Sequence, residues 1–198
     1  SGACLRDYEP TILRCGPTHV FSFSGGVANH LHDPAISGKG LGLGQSINQL
    51  YSQIQIRPGD RLLSYLPLAH IAERAVVEHL SFGLDIEVYF VDSLDTFAAD
   101  LRHARPTAFM SVPRLWTRFQ SQILQRMPDA RLQRLLGVPL LGRAVAWRIR
   151  KAMGLDQARL FGSGTAPISP AMLAWFGRLG IPISEGWGMT ETTGLSCS

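Results

Sequence analysis

The sequence predicts an α/β fold: a mostly parallel sheet with crossover helices on its faces. Three observations carry this reading. Short apolar runs alternate along the whole chain with segments of helical period, the signature of strands joined by crossover helices. Glycine and proline punctuate the boundaries between them. The 198 residues are 45% hydrophobic and 17% charged, enough to bury one core and unlike a disordered chain. No internal repeat or low-complexity segment interrupts the pattern.

In chain order, residues 1–20 carry little signal. His19–Phe23 reads as a strand leading into Ser24-Gly25-Gly26. A polar stretch follows, and then Ser37-Gly38-Lys39-Gly40-Leu41-Gly42-Leu43-Gly44, a glycine-rich turn beside a lysine of the kind that cradles phosphates through backbone N–H groups. Neither the Walker pattern nor the dinucleotide fingerprint is present. Gln45–Ile56 has apolar residues Ile47, Leu50 and Ile54 at helical spacing, and Arg57-Pro58-Gly59-Asp60 is a turn. Arg61–Leu66 is a strand ended by Pro67. A helix runs from His70 to about Phe82, with Ile71, Ala75 and Leu80 among its apolar positions. Asp85–Val91 is the next strand. Ser93–Ala104 is a helix with Asp95 as N-cap and Leu94, Phe97, Ala98 and Leu101 on one face. Thr107–Val112 is a strand, and Pro113 starts a helix that continues to about Met127. Arg143–Met153 is a basic helix and Ala158–Phe161 a strand. Ser169-Pro170 caps a helix to Leu179 that Gly180 ends. Ile181–Ser184 is the last strand.

Net charge is +4 and unevenly placed. Between Arg114 and Lys151 stand nine Lys or Arg residues against one acid, Asp129. Such a run is a solvated helical face or attracts an acidic partner, including phosphates or anionic lipid headgroups. No aromatic platform is interleaved with it, so nucleic acid is not an expected partner. Cys4, Cys15 and Cys197 have neither metal-ligand nor disulfide spacing. His30 and His32 read as exposed loop residues. No apolar run reaches the ~18 residues of a membrane span, and no secretory signal is visible. The expected location is cytoplasmic, with possible contact at the inner membrane face through the stretch 114–151.

The stretch Gly186-Trp187-Gly188-Met189-Thr190-Glu191-Thr192-Thr193-Gly194 has the most chemistry. Small residues let a backbone approach a ligand, Trp187 offers a stacking face, the threonines offer hydroxyl donors, and Glu191 is a hard oxygen ligand suited to Mg²⁺. It follows a strand, where open α/β sheets place ligands. On composition alone it reads equally as a Gly/Thr-rich turn with Trp187 packed in a core. On its own residues Gly162-Ser163-Gly164 reads as a strand-to-helix turn with no ligand.

Gly186–Glu191 resembles the Tyr-Gly-x-Thr-Glu motif of adenylate-forming enzymes, closest to the long-chain fatty-acid–CoA ligases. Three further stretches resemble that family in order and spacing: Leu63–Arg74 (LSYLPLAHIAER), Ser111–Trp116 (SVPRLW) and Gly162–Ile168 (GSGTAPI). The resemblance covers roughly residues 57–194. It implies an AMP-binding N-terminal domain that uses ATP, Mg²⁺, CoA and a long-chain fatty acid. It implies that Thr190 contacts the phosphates, Glu191 holds Mg²⁺ and Trp187 lies on adenine, where the family usually has Tyr, with Gly186, Gly188 and Met189 in the same turn. Gly162, Ser163, Gly164, Thr165, Ala166 and Pro167 are implied as a wall around the adenine and the acyl carboxylate. Lys39 is implied to face the phosphates, and His70 to border the acyl pocket. Trp116 and Phe119 read as core residues.

The chain departs from the family in two places. Ser22–Gly26 and Gly38-Lys39-Gly40 look like the two ends of a phosphate loop, split by an insertion from about Val27 to Ser37. The family also continues into a ribose-binding aspartate, a hinge and a C-terminal domain with a catalytic lysine, whereas Lys39 and Lys151 are the only lysines here. Residues 1–198 are therefore expected to be part of an N-terminal domain that does not complete the reaction alone. The alternatives are a non-catalytic nucleotide- or acyl-binding or interaction module of the same fold, and a ligase of that fold acting on an aryl or amino acid.

Overall fold

The computed structural model describes residues 11–15, 18–22, 55–67, 69–73, 76–77, 80–81, 84–189 and 194–197. The strands are β1 (Thr11–Cys15), β2 (Thr18–Ser22), β3 (Arg61–Ser64), β4 (Glu87–Phe90), β5 (Ala108–Ser111), β6 (Leu160–Ser163), β7 (Ile183–Glu185), β8 (Trp187–Met189) and β9 (Gly194–Cys197). The helical elements are the turn α1 (Ile71–Glu73) and helices α2 (Phe97–Ala104), α3 (Pro113–Arg126), α4 (Asp129–Leu136), α5 (Leu141–Met153) and α6 (Pro170–Arg178).

The predicted α/β class holds. Strands β5, β6 and β7 form a parallel sheet in that order, with Ser111 opposite Ser163 and Ser163 opposite Glu185. β3 and β4 are also parallel, Arg61 facing Glu87. An antiparallel arm was not expected: β4 pairs with β2, and β2 with β1, in the order β1-β2-β4-β3. Polar contacts join the starts of three strands. Thr107 donates its N–H to the Arg61 carbonyl (3.0 Å) and its hydroxyl to Asp60 (2.6 Å), and Arg159 forms an ion pair with the same carboxylate.

Alternation along the strands sends neighbours to opposite faces. Leu63 and Phe109 enter one apolar cluster, Leu62 and Ala108 the other. The first cluster is aromatic. Trp116 packs edge-on against Phe109 (centroids 5.5 Å) and Phe176 (5.1 Å), and Trp175 against Phe176 (4.9 Å). The second is aliphatic, built from residues such as Val76, Val77, Leu80, Ile86 and Val88.

Several boundaries move. The helix expected at Ser93 starts at Phe97, and its N-cap is Thr96 rather than Asp95. Residues 93–96 instead form a turn in which Ser93 N–H donates to the Thr96 hydroxyl (3.0 Å), which itself donates to Asp100 (2.7 Å). An additional helix, α4, occupies Asp129–Leu136, and α5 begins at Leu141 rather than Arg143. The last strand of the parallel sheet is Ile183–Glu185. Ser169 caps α6 as expected, accepting from Met172 N–H (3.3 Å), and Gly180 follows that helix at φ +71°. Of the helix expected over 70–82, α1 and a π-type turn at Val76–Val77 are described. The helix expected over 45–56 lies outside the described residues, except for Gln55 and Ile56, which are not helical.

Candidate functional site

Parallel pairing brings the carboxyl ends of β5, β6 and β7 to one edge. The chain after each strand then becomes part of one surface, the position where open α/β sheets bind ligands. From β6 come Gly164 and Thr165. From β7 come Glu185 and Gly186.

The two glycine turns are tied to the strands beneath them. Gly164 N–H donates to the Ser111 carbonyl (3.2 Å), and Gly186 N–H donates to the Ser163 carbonyl (2.8 Å). A Cβ at Gly164 would stand 3.4 Å from the Gly186 carbonyl oxygen, so the two turns are about one methyl group short of van der Waals contact. At Gly162 a Cβ would stand 2.5 Å from the Met110 sulfur, so a larger residue there would require that side chain to shift. Thr165 takes a left-handed conformation, φ +71°, a strained setting for a β-branched residue and one found at ligand clamps. Glu185 closes the wall: its carboxylate accepts from Ile168 N–H at 3.2 Å, bracing the loop that leaves Pro167.

The wall is also held from the aromatic core. Trp116, fully buried, donates its indole N–H to the Gly162 carbonyl at 3.3 Å. Ser163 is fully buried, and its hydroxyl has no partner among the described residues. Its contribution to the wall is its carbonyl, which fixes Gly186, and not its side chain.

Beside this edge lies a small cavity with a mostly apolar lining. Leu66, Val76 and Met110 contribute apolar walls, Tyr65 and Ser111 hydroxyls, and Gly164 and Thr165 close it on the turn side. The Tyr65 hydroxyl donates to Ser111 Oγ (3.1 Å); burial pushes its phenol up while that bond pulls it down. Glu73 also lines the cavity and is 3% exposed. Leu66 N–H donates to Glu73 Oε2 (3.4 Å), whereas Glu73 Oε1 has no hydrogen-bond partner among the described residues. Burial holds this carboxyl above the usual carboxylate range, opposed by bonds from Ser64 and from the Leu66 and Tyr65 N–H groups.

The structure thus brings Ser163 and Gly164 beside Gly186, with Gly162 opposite Ser184 in the sheet and Thr165, Ala166 and Pro167 exposed in the following loop. Trp187 begins β8 next to that turn, 56% exposed, so its indole is open to solvent rather than packed in a core. Gly188 and Met189 continue β8, which pairs antiparallel with β9. His70 is half-buried. Its Nδ1 accepts from Ala72 N–H (3.2 Å), and it does not line the cavity, to which the next turn brings Ala72 and Glu73. Thr190, Glu191 and Lys39 lie outside the described residues. Sequence reasoning missed Glu185, Tyr65 and Ser111 as parts of the site. An acid directly before Gly186 was the available signal for the first; the other two depend on the pairing of separate strands.

Comparison with known proteins places this geometry. The family described as AMP-binding enzyme matches residues 42–198. The chain is 34% identical over 171 residues to fadD11 of Mycobacterium tuberculosis, whose name provisionally assigns it as a fatty-acid–CoA ligase. That match covers 72% of this chain and 29% of the relative. It is 33% identical over 161 residues to the long-chain-fatty-acid–CoA ligase ACSBG2 of Xenopus laevis, covering 67% of this chain and 22% of that protein. The chain therefore spans less than a third of the length of these relatives. Among solved structures, the A domain of carboxylic acid reductase from Segniliparus rugosus, in complex with AMP and a co-purified carboxylic acid, superposes with a TM-score of 0.52 at 26% identity. That superposition covers 74% of this chain and 25% of that one.

Proposed function

The chain belongs to the AMP-binding enzymes, and on that premise we propose that it takes part in the ATP-dependent activation of a long-chain fatty acid. In this reading a carboxylate oxygen attacks the α-phosphorus of ATP and pyrophosphate leaves. The thiolate of CoA then attacks the acyl carbon of the adenylate and AMP leaves. A carboxylate is a poor electrophile, and the adenylate supplies the leaving group that the thiol needs.

The observation that carries the reading is the close approach of the turns after β6 and β7, Gly164 facing the Gly186 carbonyl across a gap that one methyl would fill, at a strand edge beside an apolar cavity. Backbone without side chains can lie flat against a planar base. The exposed Trp187 indole supplies a stacking face next to it. Gly162–Pro167 would form the wall along adenine and the acyl carboxylate, His70 would border the approach to the cavity, and Lys39 and Thr190 would contact phosphates. Mg²⁺ usually takes one or two carboxylates together with phosphate oxygens and water. Glu191 is the proposed protein ligand, and no preformed cluster of acids is required. When bound, the ion would neutralise phosphate charge at the reacting end of the nucleotide.

Titration calorimetry with a non-hydrolysable acyl-adenylate analogue tests this. Saturable binding that weakens in Trp187→Ala and Glu191→Gln is expected; no binding, or binding indifferent to both variants, would sink it. Pyrophosphate release from ATP and fatty acid then separates a catalytic role from a binding module.

Peripheral contact with the inner, cytoplasmic membrane face through residues 114–151 is part of the proposal. Val138, Leu140, Leu141 and Trp147 are exposed large apolar residues in this stretch, and Lys151 Nζ lies 4.8 Å from the Trp147 ring centroid. Apolar residues beside cations suit an anionic bilayer surface. Among the described residues no helix is long and apolar enough to cross a membrane. Co-sedimentation with phosphatidylglycerol vesicles, compared with neutral phosphatidylcholine, checks this.

A further inference from the structure

Three helix faces converge on a groove away from the candidate site. It runs between α2, α3 and α5 and encloses about 590 Å³, within the roughly 300–1,000 Å³ typical of small-molecule sites. Its floor is Leu101 and Phe119, both buried members of the aromatic cluster. Its walls are Ile123, Met127, Ile149 and Met153, each partly buried. Here the main core reaches the surface as a trough rather than closing beneath packed helices.

The lining explains why water alone is a poor occupant. The apolar side of the trough offers water few hydrogen-bond partners, whereas Arg102, Gln122, Gln125 and Arg126 line its polar side. Thioethers adapt to flexible apolar ligands, and two of them, from Met127 and Met153, border the groove. The polar groups in the lining are as informative. Arg102 and Arg126 line the groove and are exposed, and among the described residues no carboxylate lines it. Arg102 spends its Nε on the Ala98 carbonyl (2.9 Å), and neither guanidinium has an ion-pair partner among the described residues. The acid of this basic stretch, Asp129, is held elsewhere by Gln133 and by the Trp175 indole N–H (2.8 Å).

We infer that this groove binds a single long acyl chain that ends in an anionic head, the chain lying along Phe119, Ile123 and Met153 and the head held by Arg102 and Arg126. It is separate from the candidate site. α2 and α5 end here before the amino ends of β5 and β6, whereas the turns at Gly164 and Gly186 follow the carboxyl ends of β6 and β7. The inference does not rest on adenylation and is tested without ATP. A free fatty carboxylate and an acyl thioester of a phosphorylated carrier share this chemistry.

Photolabelling of the 198-residue chain with a hexadecanoate bearing a terminal diazirine, below its micelle concentration, is the test. Adducts are expected on peptides containing Ile123–Met127 and Ile149–Met153. Ile123→Glu, Met153→Glu and the double change Arg102→Glu/Arg126→Glu should each lower labelling about ten-fold, the equivalent of ~1.4 kcal/mol, whereas Met153→Leu should keep it. Hexadecanoate or hexadecanoyl-CoA should compete, the stronger competitor identifying the natural head, while uncharged hexadecanol should compete at least about ten-fold less well. Near-UV dichroism from Trp116 and Trp175 verifies that each variant is folded. Labelling confined to peptides 65–73 and 110–112, labelling unchanged in the folded charge variants, competition by neither anion, or equal competition by hexadecanol would each overturn the inference.

Discussion

The two sides of the strands are built differently. On one, aromatic rings interlock edge to face around Trp116, and the helices α3 and α6 are fastened to the sheet. On the other, aliphatic side chains surround a small cavity that contains a buried carboxyl with one oxygen unpartnered among the described residues. The difference shows how a binding edge is supported. The aromatic side fixes the wall, through the indole bond to Gly162. The aliphatic side leaves room, and tolerates a polar group that a fully packed core would not.

The largest effect expected is at the centre of the aromatic side. Trp116→Ala removes a fully buried ring and the bond to Gly162, and should cost about 3–5 kcal/mol in chemical denaturation. A loss below ~1.5 kcal/mol would mean that this side is not the stiffer one. Next comes the tie between strand starts. Asp60→Ala leaves Thr107 and Arg159 without their shared acceptor and should cost about 2 kcal/mol. On the aliphatic side, Val76→Ala beside the cavity should cost about 1.5 kcal/mol, the transfer value of the lost methyl groups. An effect as large as that of Trp116→Ala would erase the comparison.

The smallest effect has the opposite sign. Burial raises the Glu73 carboxyl above its ordinary value, so folding favours its protonated form. The folded state then binds more protons than the unfolded one as pH rises from the usual carboxylate range toward the raised folded value, and stability falls across that window. Glu73→Gln should remove this fall. Melting temperatures of variant and parent should converge near pH 4 and separate in the variant's favour at neutral pH. A variant less stable than its parent at pH 7 would show that the hydrogen bonds to the ionised carboxylate outweigh the cost of burying it.

Much of the parallel sheet was legible because it is written locally. Pro67 and Pro113 punctuate strand ends, and Ser169-Pro170 starts a helix that needs no tertiary help to be recognised. Other features depend on partners distant in sequence. β1 and β2 exist as a hairpin whose second strand pairs with β4, so Thr11–Cys15 carries little signal alone. Asp95 is a good cap by type, but the Thr96–Asp100 contact sets the start of α2 one residue later. Helix α4 did leave a trace, Pro128-Asp129 followed by Leu132 and Leu136, but it is short. At the site, the glycine turns were visible in the sequence and their close approach was not, because it depends on β6 lying next to β7.

The indole bond to Gly162 has an evolutionary and practical consequence. It joins one residue of α3 to both the centre of the molecule and the surface against which a nucleotide would rest. Changes deep in that helix should therefore be felt by ligands they never touch. Selection for a firmer interior and selection for a better-shaped recess would act on the same tryptophan and could not easily be pursued apart.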